Sequence, residues 1–295
     1  MAKSVAQLLS SINVVSDCNY NCTPDSPLCP SCSSKKKFTE KRINGVERFV
    51  RIQGSPDLSA EDLLGDIDPV KAFKHGALSI DAFTPGKIFK ANNGVLFFDE
   101  LNRCPEKIQN ALLQVLEEKK MTIISYDVDF NMDFIFIGTM NPEDSSTEKL
   151  SDVLVDRFDF IYMGYPETAE IESKIVLMKG KKVAEVSDKL LSLMIYFVRL
   201  LREDGKLDKK PSVRASIGLY ERSQANALLD GKKTVEFQDF HDVVVSVMAH
   251  RIRLKPSARY LQSVEDFIKE KFEKNMKKSF KDMQDTVEGE EGDYR

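Results

Sequence analysis

The chain has 295 residues, a formal net charge of −4 and an apolar content of 42%, which is typical of a soluble globular protein with one large or two ordinary domains. The charge gives no overall basic signature for nucleic-acid binding, and no apolar run approaches the roughly 18 residues that a membrane-spanning helix needs. Because no signal-peptide pattern opens the chain, we expect a cytoplasmic protein without a membrane partner.

Four of the five cysteines lie in one short loop at 17–37, which follows a helix predicted at 2–11 and contains three prolines. They are Cys18, Cys22, Cys29 and Cys32, in the pattern C-x3-C-x6-C-x2-C. Four thiolates on one loop could close a tetrahedral Zn²⁺ site, yet only the last pair has the spacing of a zinc knuckle. A zinc site and a structural loop with reduced thiols therefore both stay open, and a cytoplasmic location disfavours disulfides.

The apolar stretch at 94–98 predicts a strand that is buried on both faces of a parallel sheet. It runs directly into Asp99 and Glu100. Ligands bind at the carboxyl ends of strands in open α/β sheets, so one carboxylate could hold Mg²⁺ while the other polarises an attacking water. The same pattern fits a buried strand that ends in a solvated acidic turn, and this stretch alone does not decide between the two.

Two further apolar runs, at 134–139 and 160–163, predict buried strands of the same kind, and 49–53 is a candidate strand. The run at 134–139 leads to Asn141, whose amide could hydrogen-bond an attacking water or a phosphate, or could form a turn before proline. Alternating polarity over 121–133 predicts a β-hairpin. Strands that alternate with helices in this way indicate an α/β domain.

Beyond about residue 165 the pattern is almost entirely helical. Helices are predicted near 168–179, 186–203, 211–229 and 236–252, and a last amphipathic helix near 257–284. Residues 285–295 are acidic and lack an apolar face, so we expect disorder there. The predicted organisation is an α/β domain over 1–165, a helical domain over 166–256, the C-terminal helix and the acidic tail.

Four motifs, in order along the chain, resemble the AAA+ ATPases. They are Gly-Val-Leu-Phe-Phe-Asp-Glu-Leu-Asn-Arg from residue 94, Gln-Asn-Ala-Leu-Leu-Gln-Val-Leu-Glu-Glu from 109, Gly-Thr-Met-Asn-Pro-Glu from 138 and Leu-Val-Asp-Arg-Phe-Asp from 154. Within that family, Asp62-Leu-Leu-Gly is similar to MoxR-type ATPases, and the loop from Cys18 is similar to the I subunit of magnesium chelatase. The resemblance covers about residues 2–255. It implies the three-layer α/β fold of P-loop NTPases with a parallel sheet, followed by an α-helical lid.

The resemblance also implies a role for each matching residue. Asp99 matches the Walker B residue that organises Mg²⁺, and Glu100 matches the one that activates water. Asn141 matches the sensor-1 residue near the γ-phosphate. Arg157 stands where this branch places the arginine finger, which acts on the nucleotide of a neighbouring subunit, and Arg214 matches sensor 2 of the lid.

The cofactors and partners implied by the resemblance are ATP, Mg²⁺ and further copies of the chain. Family members form rings, commonly hexamers, and a partner in this branch is often a von Willebrand A-domain protein. The hairpin predicted at 121–133 matches the insertion ahead of sensor 1, which remodels partners. We therefore expect a ring ATPase that remodels a partner or drives metal chelation.

The family's P-loop, G-x-x-x-x-G-K-[ST], which should cradle the phosphates, occurs nowhere in the 295 residues. Residues 2–9 resemble those that follow it in relatives, so we expect a first strand and P-loop to be missing, with Met1 internal to the full protein. The chain alone should then bind ATP poorly. Two alternatives are a ring subunit that naturally lacks the P-loop and lends Arg157 to an active neighbour, and a zinc-binding interaction module at 18–32.

Overall fold

The computed structural model describes the chain except for residues 26, 28, 34, 36, 38, 77–78, 80–81, 124–127, 142–149 and 277–295. The chain divides into two compact units, Met1–Phe160 and Ile161–Arg295. The first unit is α/β with a parallel sheet and the second is almost entirely helical. This confirms the predicted fold class of an α/β part followed by a helical lid.

The first unit contains nine strands and six helices among its described residues. The strands are β1 Ile12–Val15, β2 Glu40–Ile43, β3 Phe49–Gln53, β4 Gly65–Ile67, β5 Phe83–Pro85, β6 Gly94–Asp99, β7 Lys120–Ile123, β8 Val128–Asn131 and β9 Phe134–Gly138. The helices are α1 Ala2–Leu8, α2 Pro30–Ser33, α3 Ala60–Leu64, α4 Pro69–His75, α5 Glu106–Glu118 and α6 Asp152–Val155.

A three-stranded parallel sheet in the order β3-β6-β9 organises this unit. The central strand β6 carries Val95, Leu96 and Phe98, which are fully buried, so the prediction of a buried strand at 94–98 is confirmed. The strands expected at 49–53 and 134–139 are also present. However, β9 lies at the edge of this sheet and is only partly buried, with Ile135 exposed.

The strand predicted at 160–163 is wrong. This segment has no strand assignment, and its apolar side chains are exposed, with Tyr162 at 88% and Met163 at 77%. An apolar run becomes a strand only where a neighbour accepts and donates its backbone hydrogen bonds. Among the described strands, none pairs with residues 160–163.

The hairpin predicted at 121–133 is confirmed, because β7 and β8 pair antiparallel from Lys120↔Asn131 to Ile123↔Val128. Its tip, at 124–127, lies outside the described residues. The root of the hairpin packs into the core of this unit through Phe130, which meets Phe89 edge-on at 5.5 Å between ring centroids. The hairpin is therefore anchored to the same core as the central strand.

The second unit consists of helices around a core of its own. They are α7 Ala169–Lys179, α8 Asp188–Glu203, α9 Val213–Leu229, α10 Phe237–Met248, α11 Pro256–Arg259 and α12 at 264–276, with short strands β10 Leu207–Lys209 and β11 Arg253–Leu254. Phe197, Phe240 and Phe272 meet edge-on at its centre, with ring centroids 5.0–6.3 Å apart. Within the described ranges, every helix is too short or too polar to span a bilayer.

The helix predicted from 257 to 284 is not continuous. The chain leaves the helical conformation after α11 and resumes it at 264. Ser263 explains the second start, since its hydroxyl oxygen accepts the N–H of Asp266 at 3.0 Å, as a helix N-cap does. The expected end of this helix and the disorder expected at 285–295 lie outside the described residues.

Candidate functional site

Polar residues from all three strands meet at the carboxyl end of the parallel sheet. Gln53 ends β3, Asp99 ends β6, and Thr139 directly follows β9. Gln53 is the register partner of Asp99, and the Thr139 N–H donates to the Phe98 carbonyl at 2.9 Å. Parallel register thus brings these three side chains to the edge at which open α/β sheets bind ligands.

The Thr139 hydroxyl links the two adjacent acidic residues. It donates to Oδ1 of Asp99 at 2.7 Å and accepts the backbone N–H of Glu100 at 3.1 Å. The N–H of Leu101 also donates to the Thr139 carbonyl, at 2.8 Å. Thr139 consequently orients the Asp99 carboxylate and holds the turn in which Glu100 lies.

Glu100 has a left-handed backbone conformation, with φ 56° and ψ 51°. This conformation costs a residue with a Cβ roughly 1–2 kcal/mol. Gly54 approaches the same turn closely, because its N–H donates to the Asp99 carbonyl at 2.6 Å and a Cβ there would lie 2.0 Å from the Glu100 carbonyl oxygen. The turn after β6 therefore depends on glycine at position 54.

Both carboxylates contact side chains of the first unit. Oε2 of Glu100 accepts from Nε2 of Gln53 at 2.8 Å and lies 3.4 Å from Nη1 of Arg103. Oδ2 of Asp99 accepts from Nη2 of Arg51. The Arg51 side chain is 59% exposed and that of Asp99 is 26% exposed, so this ion pair is worth no more than about 1 kcal/mol. Another cation could displace Arg51 from Asp99 at low cost.

Asn141 lies beside the two acidic residues. The buried Asn102, which follows Glu100 by two positions, donates from Nδ2 to the Asn141 carbonyl at 3.2 Å. Asn141 itself is exposed. The structure therefore brings Asn141 to the same edge of the sheet as Asp99 and Glu100.

Arg157 follows α6 and is held by its own chain. Its Nη2 lies 2.8 Å from Oε2 of Glu117, and its Nη1 donates to the Val153 carbonyl at 2.6 Å. The Glu117 side chain is mostly exposed. Since such a surface pair is weak, the guanidinium could exchange Glu117 for an anionic group on another molecule.

Arg214 belongs to the second unit. It lies in the first turn of α9, where the Ser212 hydroxyl oxygen accepts the Arg214 N–H at 3.3 Å. Its side chain is exposed. An exposed arginine at this position is accessible to a ligand, and its role as sensor 2 stays a prediction.

The four clustered cysteines form a second candidate site. Their Sγ atoms all lie within 4.8 Å of one another, and three of the four side chains are buried. Hydrogen bonds from Cys22 and Cys29 lower the pKa of the Cys18 thiol. The hydrogen bond between Cys18 and Cys29 has the opposite effect on Cys29 and raises the pKa of that thiol. The fold thus gathers thiols whose sequence spacing is atypical for zinc.

Two family models match the chain. Residues 35–160 match the ATPase family associated with various cellular activities (AAA), and residues 210–270 match the AAA lid domain. A magnesium-chelatase subunit ChlI homolog of Methanocaldococcus jannaschii is 28% identical over 282 residues, which cover 86% of this chain and 75% of the relative. Chaperone MoxR1 of Mycobacterium tuberculosis is 29% identical over 238 residues, which cover 70% of this chain and 61% of the relative. The chain belongs to the AAA+ ATPases, in their MoxR and magnesium chelatase I-subunit branch.

The two matched segments of this AAA+ protein follow its two units, with the AAA segment in the first and the lid segment in the second. Among solved structures, a cryo-EM-based model of the complex between subunits BchI and BchD of magnesium chelatase is 19% identical, with 90% of this chain and 86% of that chain covered. The TM-score is 0.45, which is too low for this likeness to bear on function.

The donor set at the sheet edge of the AAA+ unit fits Mg²⁺ by its chemistry. Asp99 and Glu100 supply carboxylate oxygens, Thr139 a hydroxyl oxygen and Asn141 an amide oxygen. Oxygen atoms of these kinds are the ligands that Mg²⁺ prefers, usually with one or two carboxylates and several waters. The residues present are therefore compatible with the cofactor that the family implies.

Sequence reasoning gave no role to three residues that shape this site. Gln53 and Thr139 both stand where a predicted strand ends, so a search for polar residues at each strand terminus would have found them. Glu117 carries no such signal, because its contact with Arg157 depends on how α5 and α6 come together.

Proposed function

We propose that Asp99, Glu100 and Asn141 belong to an ATP-hydrolysing site, and that the complete protein is a ring subunit that remodels a partner or drives metal chelation. The observation that carries this proposal is the pair of carboxylates at the end of the central strand, oriented by Thr139, in an AAA+ chain. Phosphoryl transfer needs little covalent chemistry and depends on a positioned water and on stabilised charge. This site can position the attacking water and hold the metal ion.

Each side chain has a separate task in the proposed mechanism. Glu100, held by Gln53, would orient the water that attacks the γ-phosphorus and accept its proton while the bond to the departing ADP oxygen breaks. Asp99 and Thr139 would hold Mg²⁺, which when bound neutralises charge on the phosphate oxygens. Asn141 would hydrogen-bond the attacking water or the γ-phosphate.

The two arginines would complete the charge around the nucleotide. Arg157 would leave its weak surface pair with Glu117 and reach the nucleotide of a neighbouring subunit, which requires a ring such as a hexamer. Arg214 would approach the phosphates from the lid. In this proposal the phosphate cradle is a P-loop, whose motif these 295 residues do not contain.

The partner is proposed at the level of its class only. The relatives include a protein named as a chaperone and one named as a magnesium-chelatase subunit homolog, so remodelling and chelation are both retained. The β7–β8 hairpin is the proposed contact surface for the remodelled partner. A von Willebrand A-domain protein is the proposed companion subunit, and a pull-down with the tagged chain would test it.

Substitution of Glu100 by Gln tests the proposed chemistry. In the protein expressed from its complete gene, Glu100→Gln should lower ATP turnover by roughly 10²-fold or more and leave ATP binding unchanged, because the amide keeps the shape of the side chain and loses the base. Exposed Glu106 on α5 offers a matched control, since Glu106→Gln removes the same charge from a residue outside the proposed site. Full turnover by the Glu100→Gln protein would remove this residue from its proposed role.

A mixing experiment tests the proposed action of Arg157 on a neighbour. Arg157→Ala should lower ring turnover without lowering each subunit's nucleotide affinity. Addition of Glu100→Gln subunits, which keep Arg157, should restore part of that turnover. If the unsubstituted protein shows no turnover and its gene encodes no P-loop, the chain acts instead as a scaffold subunit that lends Arg157 to an active neighbour.

A further inference from the structure

The four clustered cysteines have the dimensions of a site for a single metal ion. A tetrahedral Zn²⁺ ion with Zn–S bonds of about 2.3 Å places its sulfurs about 3.8 Å apart. The Sγ atoms of Cys18 and Cys29 lie 3.7 Å apart, and all four Sγ atoms lie within 4.8 Å. A disulfide needs an S–S distance of about 2.05 Å, so the described sulfurs are spaced for a shared ion and not for a disulfide.

The backbone of the loop directs N–H groups at these sulfurs. The N–H of Tyr20 donates to Sγ of Cys18 at 3.3 Å, and the N–H of Cys29 donates to Sγ of Cys22 at 3.3 Å. Hydrogen bonds of this kind orient metal-bound ligands and stabilise their charge. They arise from two different parts of the loop, so backbone donors on both sides are in place to support thiolate ligands.

Burial separates the cluster from an exposed redox site. Cys22, Cys29 and Cys32 belong to the core of the first unit, and the helix among the described residues of the loop that carries them is the four-residue α2. Metal binding adds folding free energy to such a loop, because its ligands come together only when the loop is ordered. Cys104 is buried in the same core but does not belong to the group of four.

We propose that Cys18, Cys22, Cys29 and Cys32 bind one Zn²⁺ ion, which fastens the 18–32 loop to the root of the β7–β8 hairpin. Four thiolates in a tetrahedral arrangement select zinc or iron–sulfur centres. A multi-iron cluster distributes its cysteine sulfurs over several iron atoms and spreads them more widely, whereas the spacing here suits one ion. Four protein ligands leave no open position for water, so the ion is structural.

Tyr20 connects the proposed zinc loop to the hairpin. Its ring stacks on Phe130 of β8, with centroids 5.3 Å apart and planes 2° apart. It also meets Phe89 edge-on at 5.0 Å. Aromatic pairs in these geometries contribute about 0.5–1.5 kcal/mol beyond burial. If the ion orders the loop, Tyr20 is held in place and its contact with Phe130 stabilises β8.

Two asparagines make a second connection between loop and hairpin. Asn92 donates from Nδ2 to the Tyr20 carbonyl at 3.1 Å and accepts the N–H of Asp133 at 3.0 Å. Asn93 donates from Nδ2 to the Asn21 carbonyl at 3.3 Å, and its N–H donates to the Asp133 carbonyl at 2.6 Å. Asp133 lies just after β8, so the metal loop and the end of the hairpin share these two amides.

Metal analysis of the purified full chain tests the site. Protein prepared under reducing conditions without chelator should contain about one zinc ion per chain, as measured by inductively coupled plasma mass spectrometry. The double variant Cys22→Ser, Cys29→Ser should lose nearly all of it. Cys104→Ser, a change of the same chemistry in the same core, should keep it. Equal loss in both variants would overturn the assignment.

A cobalt titration keeps the proposal testable if the double variant does not fold. Unsubstituted protein, reduced and stripped of metal, should develop the intense visible bands of tetrahedral cobalt–thiolate when Co²⁺ is added, and one equivalent of Zn²⁺ should abolish them. Iron in the purified protein with the absorption of an iron–sulfur cluster would overturn the choice of zinc. Absence of zinc together with failure to take up Co²⁺ would overturn the site altogether.

Hydrogen exchange tests the connection to the hairpin separately. Zinc removal should speed exchange of the amides at 128–131 several-fold and leave those of α9, in the other unit, unchanged. If the protein loses its zinc while exchange in β8 stays the same, the ion does not hold the hairpin. None of these measurements requires ATP turnover, so their failure is distinguishable from failure of the proposed ATPase.

Discussion

Each unit of the chain contains an arginine–carboxylate pair, and the two pairs lie in opposite environments. At the sheet edge of the first unit, the side chains of Arg51 and Asp99 are 59% and 26% exposed. In the helical unit, the side chains of Arg202 and Glu172 are 7% and 0% exposed. The same two chemical groups therefore meet once at a surface and once inside a core.

The buried pair is fully hydrogen-bonded and joins three helices. Glu172 on α7 accepts both Nη groups of Arg202 on α8, each at 2.7 Å, and also the hydroxyl of Ser216 on α9. The Nε of Arg202 donates to the Pro211 carbonyl at 2.8 Å, and its guanidinium lies over the Tyr165 ring at 4.7 Å. Removal of one partner would leave a buried charge without compensation.

The difference in exposure sets how much free energy is needed to break each pair. An exposed pair costs about 0–1 kcal/mol to break, so Asp99 can exchange Arg51 for another cation. A buried pair costs about 3–5 kcal/mol when one partner is removed, so Glu172 can only hold its three helices together. We therefore assign ligand exchange to the sheet edge and stability to the buried pair.

The largest effect on stability should come from Glu172→Gln. We expect a loss of about 3–5 kcal/mol from the free energy of unfolding of the helical unit, because Arg202 would stay buried opposite a neutral amide. Amide exchange in α8 and α9 would report this energy for the unit itself. Glu185→Gln is the matched control, since Glu185 pairs with Lys182 on the surface. Similar losses of unfolding free energy in the two variants would show that the buried pair contributes no more to stability than a surface pair.

An intermediate effect should come from Gly54→Ala. The added Cβ would lie 2.0 Å from the Glu100 carbonyl oxygen, and overpacking of this kind costs about 1–3 kcal/mol. We expect faster exchange in β3 and β6 and displacement of the turn that carries Glu100. Gly205→Ala is the control, because a Cβ at that position meets open space. A Gly54→Ala protein as stable as the Gly205→Ala protein would show that the turn tolerates a side chain.

The pH dependence of stability tests whether the ionised form of Glu172 provides the stabilisation by the buried pair. Burial alone would raise the pKa of Glu172, but hydrogen bonds from Arg202 and Ser216 outweigh it and keep that pKa lowered. A carboxyl with a lowered pKa contributes stability above its unfolded pKa of about 4.3 and loses it as pH falls through the folded value. The difference in unfolding free energy between unsubstituted protein and Glu172→Gln should therefore shrink below about pH 4. A difference that stays constant down to pH 3 would contradict this assignment.

The smallest effect should come from Arg51→Gln. We expect a change in the unfolding free energy of the α/β unit below about 1 kcal/mol, because the pair with Asp99 is exposed to water. Arg202→Gln, the same substitution in the buried pair, should cost several times more. Denaturant unfolding of both variants checks this ratio, and a large loss in Arg51→Gln would mean that the sheet-edge pair also holds the fold.

Sequence patterns predicted three of the four proposed core strands and failed on the fourth for a physical reason. Runs at 49–53, 94–98 and 134–139 form strands because they pair with one another. The run at 160–163 is as apolar but has no strand partner in the described part of the chain. The continuous helix expected from 257 failed for a local reason, since Ser263 caps a new helix there.

The sequence by itself determined the division into an α/β part and a helical part, the AAA+ resemblance and the choice of Asp99 and Glu100 as candidate site residues, because periodicity and motif spacing are properties of neighbouring residues. Only the tertiary structure decided that Thr139 and Gln53 join those carboxylates, that four unevenly spaced cysteines converge, and that one ion pair is buried while the other is exposed. Such contacts join residues far apart in the chain, and they form only when strand register and core packing bring distant segments together.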